Sequence, residues 1–81
     1  MKRIFLFLLC SALNFAFAQK DIEYIKTGEA QLEKGNYDLA YNEFKNAVSA
    51  NSKNPQAYYQ KGRALLYLGK FSEAKKDFDK A

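Results

Sequence analysis

The four glycines of this 81-residue chain fall into two pairs, Gly28/Gly62 and Gly35/Gly69, each separated by 34 residues. The same offset carries Tyr24 onto Tyr58, Ala30 onto Ala64, Leu32 onto Leu66, Tyr37 onto Phe71, Ala40 onto Ala74, Phe44 onto Phe78 and Ala47 onto Ala81. Small residues fall on small ones and aromatics on aromatics, so the chain carries an internal repeat. A repeat of this length is one supersecondary unit stacked on a copy of itself.

The pattern within each copy is helical. A first helix is expected over about Asp21 to Lys34, with Ile22, Ile25, Ala30 and Leu32 as its apolar positions, and Gly35 supplies the left-handed stop. A second runs from about Tyr37 to Ala50 and carries Ala40, Phe44, Ala47 and Val48 at helical spacing. Asn51-Ser52-Lys53-Asn54 is a polar turn; Asn54 suits an N-cap, and Pro55 stands at the first helical position, where proline is best tolerated. The third helix then extends to about Leu68, Gly69 ends it, and the fourth starts near Phe71.

These residues resemble the tetratricopeptide repeat family. Its pattern is an aromatic, Gly four residues on, Gly after seven more, an aromatic two later, then Ala-x3-Phe/Tyr-x2-Ala. The first copy reads Tyr24, Gly28, Gly35, Tyr37, Ala40, Phe44, Ala47; the second reads Tyr58, Gly62, Gly69, Phe71, Ala74, Phe78, Ala81. One departure is Ser52, where the family often has proline. The resemblance implies an all-α array of helix-turn-helix repeats (an α-solenoid). Repeat 1 covers residues 21–54, and repeat 2, residues 55–81, stops at the 27th of 34 positions. Gly28 and Gly62 would let helix axes approach, assisted by Ala40 and Ala74 from the partner helix. Tyr24, Phe44, Tyr58 and Phe78 would fill the space between helices.

The resemblance also implies a concave groove lined by the second, fifth, ninth, twelfth and thirteenth positions of each first helix. These are Ile22, Ile25, Glu29, Leu32 and Glu33, then Gln56, Tyr59, Arg63, Leu66 and Tyr67. Tyr59 and Tyr67 suit rigid anchors, Arg63 a bidentate donor, and Glu29 and Glu33 acidic selectors for a protein or peptide partner. The alternative for Tyr59, Leu66 and Ile25 is packing against neighbouring repeats. Chaperone-binding members hold a C-terminal carboxylate with Lys at the fifth position and Asn at the ninth. Ile25 and Glu29, or Tyr59 and Arg63, do not form that clamp.

Residues 1–18 stand apart from the repeats. Lys2 and Arg3 precede an apolar run, and Ala16-Phe17-Ala18 offers small residues for cleavage after Ala18, as in a secretory signal peptide. Ile4 to Ala18 includes Ser11 and Asn14 and is shorter than the roughly 20 apolar residues that span a bilayer, so no stable span is expected after cleavage. Leu9 directly before Cys10 fits a lipoprotein signal poorly. An exported chain, periplasmic or secreted, is therefore expected, and its mature form from Gln19 would lack cysteine and depend on packing.

Loss of Lys2 and Arg3 lowers the net charge from +4 to +2, and the remainder alternates in sign, as in Lys70, Glu73, Lys75, Lys76, Asp77, Asp79 and Lys80. Such interspersion reads as a solvated face, with no basic stripe for nucleic acid. There is no histidine, no glycine-rich phosphate loop and no clustered metal-ligand set. No enzyme, metal or cofactor is expected.

The expected role is an exported interaction or scaffolding module, forming the N-terminal piece of a longer protein. The alternatives are an accessory domain of a larger exported enzyme or sensor, and a structural array without a groove. The fourth helix should expose Ala74, Phe78 and Ala81 as an uncapped face open to self-association.

Overall fold

The computed structural model describes residues 20–81, so the expected signal peptide and Cys10 lie outside the described residues. Four helices follow in order: α1 Lys20–Glu33, α2 Tyr37–Ala50, α3 Pro55–Tyr67 and α4 Phe71–Lys80. Consecutive helices pack on one another, and α1 also meets α3, so two helix hairpins stack.

The turns inside the hairpins are built alike. Gly35 and Gly69 take φ of 81° and 79°, a region that costs any residue with a Cβ. Asn36 N–H donates to the Gln31 carbonyl at 2.9 Å and Gly35 N–H to that of Leu32 at 3.0 Å; Lys70 to Leu65 and Gly69 to Leu66 repeat the pattern. Both are Schellman motifs, which satisfy carbonyls left free at a helix end. Between the hairpins, Asn54 Oδ1 accepts from Gln56 N–H at 2.9 Å and Pro55 opens α3.

The core joins all three of α1, α2 and α3 through Ile25, Ala40, Phe44, Ala47, Ala57 and Ala64. Phe44 is wholly buried, and its ring occupies the space that a Cβ on Gly28 would need. In the second hairpin a Cβ on Gly62 would lie 2.7 Å from Phe78 Cε1. The glycines are thus the sockets into which the aromatic of the partner helix seats.

Three expectations need correction. The face of α4 is not unpartnered: Ala74 is fully buried, and Phe78 is half-buried against Gly62 and Tyr59. Only Phe71, at 67% exposure, and Ala81 remain open. Their first-hairpin counterparts are covered because a following hairpin lies over them: Tyr37 stacks on Tyr67 with centroids 4.6 Å apart and planes 7° from parallel. Ala30 is exposed while Ala64 is buried, since α3 has α2 before it and α1 has no earlier helix among the described residues.

The third correction concerns Asp77, which is not on a solvated face. It is 5% exposed and pairs with Lys61 Nζ at 3.3 Å across α3 and α4. The positions 34 residues earlier, Thr27 and Glu43, face each other in the same way, with the hydroxyl donating to the carboxylate at 2.8 Å.

Candidate functional site

Stacking α3 against α1 leaves a cleft of about 380 Å³ between their second halves, lined by Glu29, Leu32, Glu33, Gln60, Arg63 and Tyr67. Each comes from a helix whose apolar side is fixed elsewhere. On α1, Ile25 and Gly28 turn into the core; on α3, Ala57, Ala64 and Leu65 do so. The cleft residues lie beside those stripes, so the helices hold them in place without loops.

Gln60 links the two walls. It is 4% exposed, its Nε2 donates to Glu29 Oε1 at 2.9 Å, and its Oε1 accepts from Arg63 Nη1 at 2.9 Å. A buried amide satisfied on both sides is stable where an unsatisfied one would be costly. It also keeps the carboxylate and the guanidinium apart. Among the described residues Glu29, Glu33 and Arg63 form no ion pair.

The remaining groove residues scatter. Ile25, expected either to line the groove or to pack against a neighbouring repeat, is 6% exposed and belongs to the core cluster that also contains Ala57 and Ala64 of α3. Its counterpart Tyr59 is exposed and leans on Phe78, with centroids 5.9 Å apart. Leu66 lines a second opening of about 360 Å³ with Arg63 and Tyr67. Tyr67 therefore borders both openings while its ring is held against Tyr37. Ile22 and Gln56 lie exposed near the helix starts, away from these openings.

Gln60 is the one cleft residue that sequence reasoning missed. Its signal was nonetheless present: Ala57, Gln60 and Ala64 share the inward stripe of α3, and a polar residue on such a stripe needs buried partners.

No helix among the described residues is long and apolar enough to cross a membrane. A family model for the tetratricopeptide repeat matches residues 31–80. No curated protein and no solved structure matched the chain.

Proposed function

The chain belongs to the tetratricopeptide repeat family, a family of protein–protein interaction modules, and from that we propose that the cleft between α1 and α3 receives a peptide segment of a partner protein. The observation that carries this reading is the cleft itself: charged, hydrogen-bonding and apolar groups converge on one concavity held by two rigid helices. Binding, rather than catalysis, is the proposed activity.

The test is to select peptides from a displayed random library and titrate a winner into isotopically labelled protein. Backbone shifts should concentrate at Glu29, Leu32, Glu33, Gln60 and Arg63. Shifts confined to the opposite side, around Lys45 and Glu73, would refute the groove.

Export is part of the proposal, supported by the basic start, apolar run and Ala16/Ala18 spacing of residues 1–18. N-terminal sequencing from a secreting bacterial host should find Gln19 first; retention of Met1, or a lipid on Cys10, would overturn it. Continuation of the array over Phe71 is also proposed. Its support is that the equivalent Tyr37 is covered by Tyr67.

A further inference from the structure

The charges of the cleft are arranged in opposition without neutralising one another. Glu29 and Glu33 stand one turn apart on α1, a like-charge spacing that weakens a helix. No lysine closes on either among the described residues; the one ion pair within α1 is Lys20 with Glu23, at its far end. Across the cleft, Arg63 spends Nη1 on Gln60, leaving the remaining donors of its guanidinium without a protein partner among the described residues. Glu29 likewise spends one oxygen on Gln60.

Direct contact between Glu29 and Arg63 would cancel both charges. Gln60 stands between them instead, fixed by burial, and bonds to each. The outcome is a bipolar cleft, acidic on the α1 wall and basic on the α3 wall, with Leu32 and Tyr67 supplying apolar surface.

We infer that this cleft selects a peptide presenting a lysine or arginine side chain to Glu29 and Glu33 and a carboxylate to Arg63. The inference rests on the peptide-groove reading above and specifies its ligand. A cation between the two carboxylates relieves their mutual repulsion and completes their hydrogen bonding. A carboxylate matches the planar fork of the guanidinium. The two walls also fix the direction in which the peptide lies, because reversing it sets like charges together. A polyphosphate chain is disfavoured, since two of the three charged groups would repel it.

The experiment pans one displayed library of random octapeptides against the wild-type chain, against Glu29→Gln/Glu33→Gln, and against Arg63→Gln. Glutamine at position 29 keeps an oxygen to accept from Gln60, so the packing is preserved; circular dichroism confirms the fold of each variant. Wild type should enrich peptides that contain both a basic and an acidic residue. The double variant should lose the basic preference and Arg63→Gln the acidic one, each binding the wild-type winner about tenfold more weakly, as loss of one charge-assisted contact implies.

Peptides enriched on apolar residues alone, or a charge preference unchanged by the substitutions, would overturn the inference while leaving the peptide groove standing. If no peptide is enriched by wild type, both fall.

Discussion

Gly28 and Gly62 hold equivalent places 34 residues apart, yet the structure gives them unequal surroundings. The Phe44 ring over Gly28 is wholly buried, whereas the Phe78 ring over Gly62 is half-buried, so part of its surface faces solvent rather than protein. Alanine raises helix propensity by up to about 1 kcal/mol over glycine. Forcing a methyl into a closed core costs about 1–3 kcal/mol. Gly28→Ala should therefore destabilise the protein by about 1–2 kcal/mol, and Gly62→Ala should leave it within about 0.5 kcal/mol, since the helix gain offsets a small ring shift. Thermal denaturation of the two variants checks this. A Gly62→Ala protein that melts as low as Gly28→Ala, or lower, would show that the Phe78 ring is locked.

Among the helices, α2 is packed by α1 and α3, whereas α4 meets only α3 among the described residues. In stacked repeats, stability is shared between neighbours, so an element with one neighbour opens first. Amides of α4 should exchange with solvent sooner than those of α2, by at least about tenfold for a difference of 1.4 kcal/mol in opening free energy. Equal protection would mean that the four helices open as one unit. The Lys61–Asp77 pair adds little to this contrast, because such pairs recover about what desolvation costs.

Helix ends were legible in the sequence because they depend on local chemistry: Gly35 and Gly69 must take positive φ, and Asn54-Pro55 suits only a helix start. Burial was less legible because it depends on the neighbouring unit. Ile25 and Tyr59 share a repeat position, but Ile25 is buried in the core shared by α1, α2 and α3, whereas Tyr59 stays exposed. Asp77 sits in a run of alternating charge, and only the lysine opposite, sixteen residues earlier, explains its burial. The cleft was legible through Glu29, Leu32, Glu33, Arg63 and Tyr67, while Gln60 was obscured because its counterpart in the first copy is Lys26, an exposed residue.

At the scale of the whole molecule, the two hairpins are joined, among the described residues, at three places besides the apolar core. These are the Tyr37–Tyr67 stack, the Glu29–Gln60 bond and a junction built around Asp21. Asp21 is buried in the first turn of α1, and its Oδ2 accepts from Asn54 Nδ2 at 2.7 Å and from Asn51 Nδ2 at 3.2 Å. Asn51 also accepts from Lys53 N–H at 3.1 Å, so one carboxylate sets the turn that aims the second hairpin. Replacing Asn51 by Asp exchanges a donor for a carboxylate facing Asp21, and should cost about 1–3 kcal/mol in a urea titration at neutral pH. An unchanged midpoint would show that Asn54 alone holds the junction.

That substitution is also a product of spontaneous ageing. The backbone nitrogen of Ser52 can attack the side-chain carbonyl of Asn51, expelling ammonia, and hydrolysis of the resulting imide leaves an acid. Asn54 is spared, because the Pro55 nitrogen that follows it carries no hydrogen to lose. The bonds of the Asn51 amide to Asp21 and Lys53 oppose its swing toward that nitrogen. Each hydrolysed amide at position 51 would therefore record a release of those hydrogen bonds, and peptide mapping of stored protein would read opening of the turn between the hairpins as accumulated mass.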